Sequence, residues 1–469
     1  MLVWAASGIV MMYVAFPAFT DDERVSGLSP INLVDCCDTR WTTGQTLSGA
    51  TIEIRGDVPT VYGNTATGDR VANDLRSGDR VPPPNQEIAK NTALAFAEKA
   101  YGYSGNADVT TIDADQWTVY GYFKRHRPLY KVALEDSAKT ILYVSGTTGQ
   151  IVQDTTGRER FWNWLGSVPH WVYFTGFRQH QKTWYSFIVW SSLLGVVATT
   201  LGITIGLLQF RGGRSKRVSP YRGVINWHHV TGLVFGLFTL TWVTSGLFSM
   251  NPWGLMSGGD ASAERRRAPK AAFTQVQIEK LIDLLKSETV KDVVSARLLE
   301  LDGEQYAILV HQDRQVERRR LANAQPIRPD ADEISNRIAT IRPNASISEL
   351  SLIDTPDAYY FGHKQRIELP VWRATMSDKE STLYYLSATT GELVRKVDGP
   401  AKQYRWFHYG LHRLDFVSML RARPVWDALV LPLLGGVIGL CALSVWVGVR
   451  RVRMDVRKVA RSLGQNKGR

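Results

Sequence analysis

The sequence predicts a membrane α-helical protein, a four-helix bundle in two pseudo-symmetric halves, with an α+β domain outside the membrane in each half. Three observations lead to this fold class. Long apolar runs have no charged residue at their centres, the net charge of +12 is concentrated directly after such runs, and two parts of the chain repeat each other at a fixed offset. At 469 residues the chain has room for two or three domains.

Four apolar runs are predicted to be membrane helices. A helix needs roughly 20 apolar residues to cross a hydrocarbon core of about 30 Å. Three of the runs reach that length, and the run that opens the chain is shorter. The predicted helices cover residues 1–19, 184–210, 225–252 and 425–449.

Basic residues indicate which helix ends face the cytoplasm. Residues 211–224 and 450–469 follow apolar runs, and together they account for the whole excess of Lys and Arg. Cytoplasmic loops are enriched in these residues. We therefore expect a cytoplasmic loop at 211–224, a cytoplasmic tail at 450–469, and outer domains at 20–183 and 253–424. Because the charge is confined to these two segments, the composition does not indicate nucleic-acid binding.

The chain contains an internal repeat. Thr140–Gly157 matches Thr382–Gly399 at an offset of 242 residues, with eight of eighteen positions identical. The opening run matches part of the third predicted helix at an offset of 238. These matches indicate two copies of helix, outer domain and helix, related by an axis along the membrane normal.

The opening run is predicted to be part of a membrane helix. Val3–Met12 aligns with Thr241–Met250, while the counterpart of Asn226–Phe238 is absent. The run has neither the basic leader nor the small-residue cleavage site of a signal peptide. We therefore expect it to be the outer half of a first membrane helix whose inner half is missing.

Each outer domain is predicted to be α+β from its periodicity. In the first domain we expect a helix at Gln86–Tyr101 and strands at 117–123, 129–135 and 140–146. In the second domain we expect helices at 273–287 and 330–341, and strands at 304–311, 371–377 and 381–387.

The outer domains show no pattern typical of a catalytic site. His126, His311 and His363 are scattered along the sequence and are predicted to be exposed or locally hydrogen-bonded. The adjacent Cys36 and Cys37 could form a disulfide or bind a metal, but ordinary side chains are the simpler prediction.

Histidines near the membrane are the candidate functional residues. An ionisable group at or inside a bilayer is costly and often marks function, although a histidine can also lie among hydrated headgroups. The offset of 242 pairs His170 with His412. A two-fold axis along the membrane normal would therefore place them at the same depth in the membrane, on opposite sides of the axis. Two facing imidazoles are what a planar haem needs for ligation on both faces. We predict that His170 and His412 bind the iron of an outer haem.

A second, inner haem is predicted at the cytoplasmic end of the third helix. His228 is the candidate iron ligand, and its counterpart would fall eleven residues before Met1. His229 lies about 100° further round the helix and is the second choice. His408, one helical turn before His412, could replace it or form a hydrogen bond nearby.

Glycines and arginines near these positions have two interpretations each. The glycines either leave room for a flat macrocycle or serve close helix packing. They are Gly202, Gly206, Gly232, Gly236, Gly435, Gly436 and Gly439. The arginines either pair with haem propionates or anchor helix ends at the lipid headgroups. They are Arg178, Arg413, Arg421 and Arg423.

Several segments together resemble the PepSY-associated transmembrane family, which includes inner-membrane iron–siderophore reductases. The segments are WHHVTGLVFGLFTLTWVTSGLFSMNPWG at 227–254, VPHWVYF at 168–174, HYGLHRLDF at 408–416, and the TTGxxV turns at 147–152 and 389–394. The resemblance extends over essentially the whole chain. It implies four helices, PepSY-like periplasmic domains and, in the reductase members, two b-type haems held by paired histidines.

The resemblance implies a multi-pass protein of the bacterial inner membrane that passes electrons to a periplasmic acceptor such as ferric-siderophore iron. The histidines that match the family pattern are His170, His228 and His412. The family also has a histidine near an HRWLG-like stretch of helix one, which this chain lacks, so the inner site is incomplete. No flavin or nicotinamide domain is visible, so we expect a separate electron donor, either cytoplasmic or a quinol.

Two other functions are compatible with the sequence. PepSY domains elsewhere resemble inhibitory or chaperone-like modules, so the chain could be a membrane-tethered binding or regulatory protein without enzymatic activity. A transporter is less favoured, because four helices without buried charges offer no ion path.

Overall fold

The computed structural model describes residues 1–33, 36–37, 46–212, 218–267, 272–362 and 366–466. His363, residues 213–217 of the predicted cytoplasmic loop and residues 467–469 of the predicted tail lie outside the described residues. The chain divides into two compact units. The helical unit comprises Met1–Ala15, Trp162–Gly258 and Pro400–Arg469, and the sheet unit comprises Phe16–Phe161 and Gly259–Gly399.

The helices in chain order are α1 (Leu2–Tyr13), α2 (Asp21–Ser26), α3 (Gln86–Tyr101), α4 (Gly157–Leu165), α5 (Ser167–Trp171), α6 (Thr175–Arg178), α7 (Gln181–Leu208), α8 (Val224–Ser249), α9 (Ser262–Arg267), α10 (Gln275–Lys286), α11 (Ala331–Ile341), α12 (Gly399–Tyr404), α13 (Leu411–Arg413) and α14 (Val425–Asn466). A π-helical turn at Arg405–Gly410 joins α12 to α13.

The strands in chain order are β1 (Ser48–Arg55), β2 (Val58–Asn64), β3 (Arg70–Asp74), β4 (Ala107–Ile112), β5 (Leu129–Leu134), β6 (Ile141–Ser145), β7 (Ile151–Thr155), β8 (Val293–Leu301), β9 (Glu304–His311), β10 (Val316–Arg320), β11 (Ile347–Ile353), β12 (Val371–Met376), β13 (Leu383–Ser387) and β14 (Leu393–Val397).

The predicted four-helix bundle is wrong. Within the described ranges, three helices, α7, α8 and α14, are long and apolar enough to cross a membrane. The opening helix α1 has 12 residues, which at 1.5 Å per residue span about 18 Å and do not reach across the hydrocarbon core. It ends because Val14 adopts an extended backbone. The described residues also form three β-sheets, so the chain is an α+β protein with three candidate membrane spans.

The three long helices lie close to their predicted positions, with one extension. The helix α14 continues from the predicted fourth span through the predicted basic tail as far as Asn466. Lys and Arg are good helix formers, and no proline follows Pro432 in this helix. The basic segment that follows the last span is therefore helical.

Two four-stranded antiparallel sheets in the sheet unit repeat each other. Their strand orders are β4-β5-β6-β7 and β11-β12-β13-β14. The helix α3 packs on the first sheet and α11 on the second. The pairing of β6 with β7 recurs between β13 and β14 at an offset of 242 residues, including the irregularity that follows Tyr143 and Tyr385. The internal repeat of the sequence is thus a repeat of strand register.

A six-stranded sheet joins the two halves of the chain. Its order is β10-β9-β8-β1-β2-β3, with β1 paired to β8 across the halves. The helix α10 packs on one face of this sheet around a core that includes Ile52, Phe273 and Leu281. Because one sheet takes strands from both predicted outer domains, the two domains form a single compact unit.

Most predicted elements of the sheet unit are present, and two predictions are wrong. The helix at Gln86–Tyr101 is confirmed with its predicted bounds. The strand predicted at 117–123 is a turn followed by a 3₁₀ helix at Gly121–His126, because the Asp115 carboxylate accepts the backbone N–H of Trp117 and forms a local turn. Cys36 and Cys37 are not ordinary thiols, since the two neighbouring sulfur atoms are bonded as a disulfide.

A buried tyrosine in each four-stranded sheet should contribute measurably to stability. The hydroxyl of Tyr143 donates to Asp115 at 2.8 Å, and the equivalent Tyr385 donates to Asp357 at 2.7 Å. Both tyrosines are fully buried. We expect Tyr143→Phe and Tyr385→Phe each to lower the free energy of unfolding by about 2 kcal/mol, since each loses a hydrogen bond to a charged acceptor. Thermal unfolding of the solubilised protein measures the effect.

The matched control is Tyr130→Phe. The hydroxyl of Tyr130 donates to a neutral acceptor, the Pro84 carbonyl oxygen, so the expected loss is about 1 kcal/mol. Equal losses in all three variants would show that a carboxylate acceptor stabilises the fold no more than a neutral carbonyl acceptor does.

Candidate functional site

The structure brings His170 and His412 together within the helical unit. His170 lies in α5 and His412 in α13. Each short helix ends at a residue with a left-handed backbone, Val172 (φ 53°) and Leu414 (φ 56°), and these two residues are equivalent in the repeat. The two imidazole centroids are 6.1 Å apart, and the ring planes are inclined at 77°.

The opening helix α1 orients the imidazole of His170. Its Nδ1 atom lies 3.0 Å from the backbone oxygen of Trp4 and 3.2 Å from Oγ of Ser7. Residues three apart lie on the same face of a helix, so both groups of α1 reach the same ring atom. The Ser7 hydroxyl donates to the Val3 carbonyl at 2.6 Å, which leaves its oxygen free to accept from Nδ1.

The helix α8 orients His412 in the same way. Its Nδ1 atom lies 3.0 Å from Oγ of Ser245, and the Ser245 hydroxyl donates to the Trp242 carbonyl at 3.0 Å. Trp242 and Ser245 are the counterparts of Trp4 and Ser7 at the offset of 238. The same pair of residues in each half therefore holds the equivalent histidine.

These contacts fix the chemical state of both imidazoles. The Trp4 carbonyl can only accept, and both serine hydroxyls already donate to backbone carbonyls, so in each imidazole the proton lies on Nδ1 and the lone pair lies on Nε2. Burial lowers the pKa of His170 to about 4. Burial, with His408, His170 and Arg413 as further causes, holds the pKa of His412 well below its usual range. Near neutral pH the site therefore presents two neutral imidazoles with Nε2 lone pairs, the state in which histidine binds metals.

The donor set and its spacing fit a haem iron. Two imidazoles that bind one metal ion through nitrogen at about 2 Å have ring centroids about 6 Å apart, close to the 6.1 Å observed. Across the described ranges, no group of three or more His, Cys, Asp or Glu side chains is arranged to hold a metal ion. A haem iron needs only two axial protein ligands, so this pair is sufficient for it.

His408 lies beside the pair without an equivalent in the first half. Its ring centroid is 5.3 Å from that of His412, and its Nδ1 atom lies 3.0 Å from the backbone oxygen of Ser245. The corresponding residue at the offset of 242 is Gly166. His408 therefore forms a hydrogen bond close to His412, one of the two roles predicted for it.

The predicted inner site is not assembled in the same way. Nδ1 of His228 lies 3.4 Å from Oγ of Ser444 on α14, and no second histidine ring contacts it among the residues that the structure describes. His229 is buried, and its Nε2 lies 2.8 Å from the Gly206 carbonyl oxygen on α7. Its ring also meets Tyr221 edge to face at 5.4 Å. His229 thus links α8 to α7.

The arginines near the pair have different partners. Arg413 lies over the Tyr409 ring at 4.5 Å, and burial lowers the pKa of Arg413. Its charge also acts on His412. Arg178 lies over Trp184 at 4.3 Å. Of these arginines Arg413 is best placed to meet a charged group at the site, and the side chain of Arg421 lies outside the described part.

Two glycines of the long helices serve close packing, one of their two predicted roles. A Cβ atom at Gly436 would lie 2.2 Å from the Phe235 ring, and one at Gly236 would lie 3.0 Å from a neighbouring side chain, so these glycines permit close helix packing. At Gly435 and Gly439, a Cβ atom would meet no described atom within 4 Å. These positions on α14 leave open space.

A buried ion pair supports the segment that carries His408 and His412. Nη1 of Arg405 lies 3.0 Å from Oδ1 of Asp415, with 4% and 0% of the two residues exposed. A second nitrogen of the same guanidinium donates to the Asp415 carbonyl at 3.1 Å. The pair closes the chain across the π-helical turn and α13.

Sequence reasoning did not identify the groups that orient the imidazoles. Ser7 and Ser245 were visible as identical positions of the repeat, but nothing in the sequence links them to histidines more than 160 residues away. Their shared contact with Nδ1 emerges only from the packing of α1 and α8.

No family model, curated protein or solved structure matches the chain.

Proposed function

We propose that this chain is a membrane-bound b-type haem protein that transfers electrons to an acceptor outside the cytoplasm. His170 and His412 would be the axial ligands of one haem. The observation that supports this most is the pair of repeat-equivalent imidazoles, whose ring centroids are 6.1 Å apart. A serine hydroxyl contacts Nδ1 of each ring. A pair of histidines serving only helix packing would not require both Nε2 lone pairs to be free.

The residues of the chain have separable roles in this proposal. When bound, haem supplies a one-electron iron couple whose potential depends on its ligands and their surroundings. Ser7 and Ser245 hold the proton on Nδ1 and fix the ring orientations. Arg413 offers a positive charge to a propionate. The ion pair of Arg405 and Asp415 keeps the His412 segment in place.

The membrane assignment follows from α7, α8 and α14. Large apolar side chains on α7 are exposed, with Trp190 at 63%, Leu194 at 70% and Leu208 at 78%, as expected for a surface that faces lipid. The basic segments after α7 and within α14 would lie in the cytoplasm. The proposed location is the bacterial inner membrane with the sheet unit in the periplasm.

The acceptor and the second haem are proposed from the family resemblance. Ferric-siderophore iron is the acceptor class that the PepSY-associated transmembrane family suggests. His228 would be a ligand of the inner haem, which needs a second ligand that the described residues do not place beside it. The electron donor would be a cytoplasmic protein or a quinol.

The electron-transfer proposal can be tested with the full chain purified in detergent. The protein is reduced with dithionite without oxygen, freed of excess reductant and mixed with a ferric hydroxamate chelate. We expect a b-type reduced spectrum that decays when the ferric chelate is added and persists when the redox-inert gallium chelate is added. A folded protein without haem would instead support the membrane-tethered binding module, and a reduced spectrum unaffected by the ferric chelate would exclude that acceptor.

The serines should tune the haem without being needed to bind it. We expect Ser7→Ala and Ser245→Ala to retain haem, because each serine contacts only Nδ1 and the imidazoles that would bind the iron are unchanged. Losing one acceptor makes the imidazole a poorer electron donor, so the midpoint potential should rise. A spectroscopic redox titration measures this shift.

The matched control for the serine variants is Ser249→Ala. The hydroxyl of Ser249, also on α8, donates to the Gly246 carbonyl at 2.6 Å, so its removal should leave the potential unchanged. Equal shifts in the control and in the two test variants would contradict the tuning role.

A further inference from the structure

Two arginines converge on a buried histidine in the first half of the sheet unit. His126 is 2% exposed, and its Nδ1 lies 3.1 Å from Oγ of Ser145. Nε of Arg125 donates to Nε2 of the ring at 3.3 Å. A guanidinium nitrogen of Arg70 lies 3.3 Å from Nδ1. Arg125 also lies 4.4 Å above the ring of Tyr122, so the cluster reaches the surface.

The guanidinium of Arg70 has no acceptor of its own in this cluster. Its Nη1 atom lies 3.3 Å from Nδ1 and 3.5 Å from Nε2 of His126. Nε2 already accepts from Arg125, so the Nδ1 atom carries the proton and donates to Ser145. The ring therefore has no free lone pair for Arg70.

Within the part of the chain that the structure describes, the positive charge of the cluster is not balanced by a carboxylate. Among the described residues, no carboxylate lies within ion-pair distance of Arg70 or Arg125. Burial, and then the charge of Arg125, lowers the pKa of Arg70. Burial, and then the two arginines, lowers the pKa of His126 to about 4, so the imidazole is neutral near pH 7. Two positive charges share one site.

The second half of the chain shows which group occupies this position in the repeat. At the offset of 242, Glu368 stands in place of His126 and Ser387 in place of Ser145. The hydroxyl of Ser387 donates to the Glu368 carboxylate. The counterpart of Arg125 is the uncharged Ile367. The second half thus has a carboxylate of its own, whereas the first half has a neutral ring between two cations.

We propose that Arg70 and Arg125 form a binding site for a carboxylate group of a small soluble ligand, with Tyr122 as its outer wall. Guanidinium groups bind carboxylates through paired, charge-assisted hydrogen bonds. The ligand can enter from solvent, because Arg125 is exposed and Tyr122 is 54% exposed. This inference does not depend on haem binding.

The site can be tested by calorimetric titration of the full-length protein with citrate, at constant ionic strength in a buffer without carboxylates. We expect saturable binding, and we expect Arg70→Gln and Arg125→Gln each to weaken it by about tenfold or more, the loss of one charge-assisted contact. Lys124→Gln removes a charge from the neighbouring exposed residue and should leave the affinity unchanged. Inorganic phosphate should bind more weakly than citrate.

A second variant separates a binding defect from a folding defect. His126→Glu introduces the carboxylate found in the second half, so it should abolish citrate binding while raising the unfolding temperature of the citrate-free protein. The proposal is overturned if citrate does not bind at millimolar concentration, or if either arginine variant binds it like the wild type. Equal affinity for phosphate and citrate would overturn the assignment to carboxylates.

Discussion

We expect His412→Ala to remove the haem that His170 and His412 would share, and His170→Ala to do the same. Each imidazole would supply one axial ligand to a single iron, because the two rings are 6.1 Å apart and equivalent in the repeat. Loss of a group that merely orients a metal ligand costs about 10- to 100-fold in affinity. Loss of the ligand itself should cost at least the upper end of that range. The haem content per protein, measured as the pyridine haemochrome, gives the result.

The control for this prediction is His180→Ala. His180 is exposed and precedes α7, so its removal should leave the haem content unchanged. Full haem occupancy in either His170→Ala or His412→Ala would show that the pair does not share an iron. Loss of haem in the control as well would indicate general destabilisation.

The second large effect is expected at the buried ion pair of the helical unit. Asp415→Ala would leave the 4% exposed guanidinium of Arg405 without its carboxylate partner. Removing one member of a buried pair typically costs about 3–5 kcal/mol, because the remaining charge is no longer compensated. We expect a large fall in unfolding temperature, accompanied by loss of haem because the His412 segment is no longer held. Thermal unfolding followed by circular dichroism measures the first effect.

The comparison variant for this ion pair is Asp455→Ala. Asp455 pairs with Arg451 at 3.1 Å on the exposed part of α14, so its loss should cost no more than about 0.5 kcal/mol. If Asp415→Ala were as mild as Asp455→Ala, the buried pair would not be what holds the turn.

Features that depend on local or repeated sequence patterns could be predicted. The long helices follow from uninterrupted apolar runs, and α3 follows from its spacing and from Asn85, which caps it by accepting the N–H of Ile88. The proximity of His170 and His412 followed from the repeat, since equivalent residues lie symmetrically about the axis. Their chemical role remains the proposal tested above.

Features that depend on long-range packing could not be predicted. The strand β1 has no clean alternation of buried and exposed residues, since the adjacent Ile52 and Glu53 are both buried. Its pairing with β8 joins residues 242 to 246 positions apart. The length of α1 depends on where Val14 leaves the helix, which its apolar composition did not indicate. The contact of Ser7 with His170 likewise requires α1 and α5 to meet in space.

Electron paramagnetic resonance of the oxidised protein tests the central claim most directly. Two imidazoles on one ferric haem give a low-spin signal, and ring planes inclined at 77° should make it strongly anisotropic. We predict this signal in the wild type and its absence in both His170→Ala and His412→Ala. A wild type without this strongly anisotropic signal, or the same signal surviving both substitutions, would contradict the account.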